Sequence, residues 1–241
     1  MVIDHLIESD DSEMAVMTML RGQDAQNTLV DPSAPPGADP DLLAGPFAHI
    51  VVDEAQELSD AEWQMLLPRC PSRSFTIVGD RAQARHGFTE SWPQRLERIG
   101  LDGINLASLS INYRTPAEVM AQAEPVIRAV IPDANVPTSI RSSGVAVVHG
   151  ASSELGSILD TWLAAPGDGI ACVIGAGHGD AGTSRATSRV RSLTPELVKG
   201  LEFDLVVLVD PAAFGDGIEG AVDRYVSMTR ATQQLVILTS R

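Results

Sequence analysis

The sequence predicts an α/β protein built on parallel, doubly wound sheets. Three observations carry this reading: short apolar runs rich in β-branched residues, helical segments alternating with them, and a carboxylate pair or Gly–Asp where two of the runs stop. Runs such as AHIVV (Ala48–Val52) and LVVLV (Leu205–Val209) have the composition of strands covered on both faces. Their alternation with helical patterns is that of βαβ units.

Taken in order, Glu8–Leu20 reads as an amphipathic helix with Met14, Met17 and Met19 as core positions and acids at its start. Asp31–Pro46 is a Pro/Gly/Asp loop. Strand Ala48–Val52 leads to a helix over Ser59–Leu67, with Ser59 as cap and Glu62 three residues on, ended by Pro68 and Pro71. Next come strand Ser74–Val78, helix Trp92–Ile99, a third strand at Ile104–Ala107, and a helix from Pro116, which suits a first turn. Pro132 and Pro137 bracket a loop. Strand Val145–Val148, helix Ser153–Leu163, strand Ile170–Ile174, a Gly/Ser/Ala-rich loop over Gly175–Ser188, and a short strand near Val190–Leu193 follow. Strand Leu205–Val209, a helix around Gly220–Arg230 and strand Gln234–Thr239 complete the pattern. It divides into two βα blocks meeting near Ser110, residues 1–110 and 111–241, and no fixed-period repeat is visible.

At 241 residues and 44% hydrophobic, the chain has material for one large core or two modest ones. Its 32 acidic against 17 basic residues give a formal net charge of −15, which repels phosphate backbones and argues against non-specific nucleic-acid binding. Arg21 is the one basic residue in the first sixty, and Lys199 is the chain's only lysine. Cys70 and Cys172 lie far apart with no CxxC partner and no histidine at ligand spacing, as reduced thiols of a cytoplasmic protein would. The start, MVIDHLIESD, lacks the basic and apolar regions of a signal peptide, and no apolar run spans a bilayer. A soluble, cytoplasmic protein without membrane contact is expected.

Asp53 and Glu54 stand where the first strand ends. The pair suits a hydrated Mg²⁺ on one carboxylate and a polarised water at the next; a strand followed by an acidic first helical turn has the same appearance. In IVGDRAQ, Gly79–Asp80 closes the second strand and Gln83 follows three residues on, an amide able to sense a terminal phosphate, or part of a tight turn. Asn112–Tyr113–Arg114 places a stacking ring beside a planar cation. Lys199, Gly200 and Glu202 precede an apolar strand, and Arg230 ends a helix, where the dipole favours a cation and where a finger toward a phosphoryl group would also sit.

VVDEAQ, IVGDxxQ, NYRTP, KGLEFDLVVLVD and YVSMTRA, in that order, closely resemble the motif series of UvrD/Rep-type superfamily-one helicases, from about residue 47 to the C-terminus. The resemblance implies RecA-like (P-loop NTPase type) sheets, with a partial first motor domain over 1–110, a complete second one over 111–241, and ATP with Mg²⁺ between them. By the same resemblance Asp53 and Glu54 match the Mg²⁺ carboxylate and the water-activating base. Gln56 and Gln83 match γ-phosphate sensors, Tyr113 an adenine-stacking ring and Arg114 a γ-phosphate contact. Gly200 and Glu202 belong to the motif that reaches the ribose, and Arg230 matches the arginine finger.

Three departures qualify this pattern. No GxxxxGK[ST] loop is present, and with Lys199 placed in LVKGLEF no lysine remains for one. About eighty residues separate Arg114 from Thr194, room for one compact domain where UvrD-type proteins carry a large extra one. The residues after Gly–Asp read Gln83-Ala-Arg-His-Gly-Phe88-Thr in place of QxIYxF/WR, and Glu196 and Leu197 interrupt the TxHxAKG-like segment. The compact second block, the acidic charge, and the phrases RCPSRSFTIVGDRAQ and LSINYRTPAEVM are similar to actinobacterial HelD/HelR-type proteins. Those are helicase-like ATPases acting on RNA polymerase. The resemblance thus implies the C-terminal portion of such an ATPase, with half of an ATP site and no turnover by itself; a DNA-unwinding UvrD-like fragment and a stand-alone pseudo-ATPase interaction module are the alternatives. Gly177, Gly179 and Gly182 formally satisfy GxGxxG, but no helical period follows them, and a surface loop is expected there.

Overall fold

The computed structural model describes residues 45–86, 90–177 and 188–240. The expected Glu8–Leu20 helix, most of the Asp31–Pro46 loop, Phe88 and the centre of the Gly175–Ser188 loop lie outside the described residues. From Phe47 onward the chain packs as one unit.

Two parallel strands open it: β1 (Ile50–Val52) pairs with β2 (Phe75–Ile77), Val51 opposite Thr76. Between them runs α1 (Asp60–Leu66), started by the expected capping box, in which the Ser59 hydroxyl accepts from the Glu62 amide and the Glu62 carboxylate accepts from the Ser59 amide. Helix α2 (Trp92–Arg98) begins with a second box, Ser91 with Gln94. Trp63, fully buried, meets Phe75 edge-on and gathers Val52, Leu67, Leu96, Ile99 and Leu101 into a first core.

Two expectations for this block are corrected. β1 is covered on one face only: Val52 is 7% exposed but Val51 is 67% exposed, and Val78 on the same outer face is 49% exposed. Ile104–Ala107 is not a strand, because among the described residues nothing pairs with it. Among the described residues no further strand pairs with either edge of this small sheet.

A second parallel pair, β3 (Ile111–Asn112) and β4 (Thr138–Ser139), brackets α3 (Ala117–Arg128), which Pro116 caps from just outside rather than within its first turn. The main sheet has five strands, all parallel, in the order β5-β9-β8-β6-β7: β5 (Val148–Ala151), β6 (Ala171–Ile174), β7 (Val190–Leu193), β8 (Phe203–Val209) and β9 (Ala231–Thr239). Alternate residues serve opposite faces. Cys172, Ile174, Val206, Leu208, Leu235 and Ile237 pack with α3 and α5 (Gly217–Thr229), while Ala171, Val173, Leu205, Val207, Val236 and Leu238 pack with α4 (Leu155–Ala164). Burial on both faces is why these strands read as unbroken apolar runs, and helices on both sides of a parallel sheet are the doubly wound, RecA-like arrangement expected.

β5 starts three residues later than its apolar run suggests. Its register is set by β9, with Val148 opposite Val236 and Ala151 opposite Thr239, which leaves Val145 40% exposed. At Gly150 a Cβ would fall 2.1 Å from Glu154 Oε2, so a larger residue there would displace the Glu154 carboxylate that accepts from the Ala151 amide.

Candidate functional site

β1 and β2 end side by side, and their tips are joined by side chains. Glu54 adopts a left-handed conformation (φ 51°) that turns the chain into a 3-10 turn at Ala55–Glu57. That turn buries Gln56, 6% exposed. Gln56 Nε2 donates to Glu54 Oε2, and its Oε1 accepts from the Asp80 amide at 3.0 Å. Gly79 permits this close approach: a Cβ there would lie 2.9 Å from Gln56 Oε1 and 2.7 Å from Trp92 Cζ2. Asp80 in turn caps the 3-10 turn Arg81–Gln83, accepting from Ala82 N and from Gln83 Nε2, both at 2.9 Å. Burial pushes the Asp80 carboxyl above its ordinary range, against these hydrogen bonds; nearby Glu54 adds to the rise and Arg230 opposes it.

The relay continues into the second block. Arg230, 7% exposed at the end of α5, donates from Nη2 to Gln83 Oε1 at 3.5 Å and from Nε to Val226 O at 3.1 Å. Burial and then Arg114 lower the Arg230 pKa, while Glu202 and Glu54 raise it, so these side chains share one electrostatic neighbourhood. Arg114 Nε lies 2.7 Å from Glu202 Oε1. Asn112 Oδ1 sets the Arg114 backbone by accepting from Arg114 N and Thr115 N at 2.9 and 3.1 Å. Tyr113 beside it is 71% exposed, its ring free to stack. Gly200 takes φ 74°, a left-handed turn that suits glycine, just ahead of β8. Asp53 is exposed, accepting from Glu54 N at 2.9 Å.

Glu54, Gln56, Gln83 and Arg230 therefore form one relay through Asp80, with Arg114 and Glu202 paired beside it and Asp53, Tyr113 and Gly200 at the surface. The relay runs from the carboxyl ends of β1 and β2 to the amino ends of β8 and β9. Three residues in or beside the relay have no role in the motif reading. Asp80 is the relay's centre, though the sequence shows only a strand end. Lys199 donates to Glu57 and, at 3.2 Å, to the Gln83 carbonyl. Sequence could have flagged that pair, since Glu57 extends the acidic motif and Lys199 is the lone lysine.

Neither thiol has a place in this chemistry: both cysteines are free and buried, and burial pushes Cys172 up to about 12. Among the described residues no cluster of three or more His, Cys, Asp or Glu could hold a metal by itself. A Mg²⁺ ion carried on phosphate oxygens and water needs one or two carboxylates, which the exposed Asp53 and Glu54 supply, so this donor set fits. No described helix is long and apolar enough to cross a membrane.

Fold and cluster define an α/β protein of parallel sheets with a polar site where two of them meet. No protein-family description matches the sequence, and no curated protein does. Among solved structures the chain resembles the helicase of PRRSV, at 16% identity and a TM-score of 0.44 over 78% of this chain and 34% of that one. It is also similar to arterivirus nonstructural protein 10, a helicase, at 22% identity and a TM-score of 0.44 over 78% of this chain and 38% of that one. The DNA complex of the arterivirus helicase gives the same identity and score over 79% and 39%. The chain spans 34–39% of the length of these helicases, and at such scores the likeness defines no family.

Proposed function

We propose that residues 47–241 are part of a helicase-like ATPase and contribute one half of an ATP·Mg²⁺ site. The observation that carries this reading is the relay Glu54–Gln56–Asp80–Gln83–Arg230, which links the acidic tip of β1 to a buried guanidinium 176 positions further along the chain. ATP would supply the electrophilic phosphoryl group, and its Mg²⁺ the charge neutralisation. Asp53 would hold the ion and Glu54 would accept a proton from the attacking water. Gln56 and Gln83 would orient that water and report on the terminal phosphate. Tyr113 would stack on the base, Glu202 would accept from the ribose with Gly200 shaping its approach, and Arg114 and Arg230 would meet phosphate oxygens.

The finer reading is a HelD/HelR-type ATPase that acts on RNA polymerase. It is supported by the phrases quoted above, by the compact segment between Arg114 and Thr194, and by the net charge of −15, which disfavours a bare nucleic-acid backbone.

The test is calorimetry with a non-hydrolysable ATP analogue and Mg²⁺, comparing this chain with a longer one carrying a GxxxxGK[ST] loop upstream. Binding at least tenfold tighter in the longer chain is expected. No binding by either chain sinks the nucleotide reading. Failure of the longer chain to co-purify with RNA polymerase core sinks the finer one.

A further inference from the structure

The turn after β2 makes a second set of contacts that the nucleotide reading leaves aside. Arg85 Nη2 donates to Glu196 Oε1 at 2.6 Å and lies 3.2 Å from Glu219 Oε1, while its Nε is 3.2 Å from Asp223 Oδ1. Three carboxylates converge on one guanidinium, and one of them, Asp223, is 4% exposed. Arg85 and Glu196 are both points where the sequence leaves the helicase pattern, and here they meet.

The geometry along α5 gives these contacts a purpose. Glu219, Asp223 and Arg230 are spaced by four and seven residues, and Arg230 keeps helical angles as the cap. At 3.6 residues per turn the three fall within roughly 40° of one another, on a single stripe. The 81–85 turn packs along that stripe. Gln83 meets Arg230 at its C-terminal end, and Arg85 meets Asp223 and Glu219 two and three turns upstream. Ala82 and Ala84, on either side of Gln83, are 0% and 1% exposed, small enough to let the turn lie close. Charge order fixes the alignment: sliding the turn toward the end of α5 would carry Arg85 from its carboxylates to another guanidinium, Arg230.

We propose that Arg85 is a positioning residue: by clamping the 81–85 turn onto the acidic half of α5, it sets the alignment in which Gln83 meets Arg230. The consequence for nucleotide rests on the function proposed above; the clamp itself does not.

Hydrogen exchange separates the two. The Gln83 and Ala84 amides donate to Asp80 O and Arg81 O at 3.0 and 3.2 Å, so their exchange reports on the turn. In Arg85→Ala these amides should exchange at least tenfold faster, with those of β8 and β9 changed less than twofold, and Arg85→Lys should fall between. Unchanged exchange at Gln83 and Ala84 overturns the clamp. An equal rise across β8 and β9 also overturns it, since Arg85 would then be a general stabilising group. If Arg85→Ala does not fold, the double variant Glu196→Gln, Glu219→Gln, whose native side chains are 44% and 54% exposed, should give the same local rise, and its absence is equally fatal. In the longer, loop-bearing chain, Arg85→Ala should weaken the ATP analogue at least threefold. Undiminished affinity with a loosened turn overturns the positioning role. A local rise in exchange in a protein that binds no analogue supports the clamp and sinks the nucleotide reading.

Discussion

Gln56 binds Asp80 across the tips of two parallel strands, its Oε1 accepting the Asp80 amide hydrogen at 3.0 Å. A buried side-chain amide here does what a further ladder hydrogen bond would do, and it also holds Glu54. The acidic corner is thus braced from inside the first core rather than by solvent-exposed groups.

Gln56→Ala should destabilise the first block by about 1–3 kcal/mol, because the Asp80 amide loses its acceptor. Urea unfolding followed by the fluorescence of Trp63 and Trp92 measures this; a loss below the scatter of replicate curves contradicts the bracing.

Gly79→Ala inserts a methyl group between Trp92 and Gln56, at distances no relaxed pair of atoms adopts. We expect a loss of about 1–3 kcal/mol from overpacking, read as a lower thermal midpoint. A midpoint equal to wild type would show that the Trp92 ring moves aside freely.

Asp80 makes stability depend on pH in a defined direction. Its carboxyl is raised above the ordinary value of 3.8 by burial, so the folded state holds the proton more tightly than the unfolded one. The contribution is fully present below pH 3.8 and is lost as pH rises through the raised value. The stability of wild type relative to Asp80→Asn should therefore fall as pH rises above 3.8. A flat or rising difference refutes the assignment.

Glu118 runs the other way. The Ser142 hydroxyl, followed by the backbone amides of Ser143 and Gly144, holds its carboxyl down to about 2. Its contribution is present above the ordinary 4.5 and disappears as pH falls toward 2. The thermal midpoints of wild type and Glu118→Gln should converge between pH 4.5 and pH 2, and a gap that persists at the acid end argues against these contacts.

Arg230→Ala removes the one donor that reaches Gln83 Oε1 from α5. If Arg230 acts as the proposed finger, the turnover rate of a loop-bearing chain that hydrolyses ATP should drop about 10³–10⁵-fold. A drop of less than tenfold would assign Arg230 to packing alone.

Where local chemistry dictates structure, the sequence is a good guide. Ser59 and Glu62 announce the start of α1, and the runs at Ala171–Ile174 and Leu205–Val209 announce strands with two covered faces. Where a distant partner decides, it is not. Ile104–Ala107 has strand composition but pairs with no strand among the described residues, and β5 begins where β9 dictates. The site follows the same rule. Each motif marks a chain position, but Asp80 as the centre of the relay, and Arg85 as a second tether, depend on side chains separated by up to 147 positions, as Gln83 and Arg230 are.

Lys199 turns the junction into something that can be read chemically. Its amine is tied to Glu57 and to the Gln83 carbonyl, and its side chain is 27% exposed. A chain with a single lysine carries a single side-chain amine for an acylating reagent, and peptide mapping separates that adduct from the one at the N-terminus. The rate of labelling at Lys199 is then a clock for how often the first block lets go of the second, with no probe to be engineered in. Whatever closes the junction should slow that clock, and whatever pries it apart should quicken it.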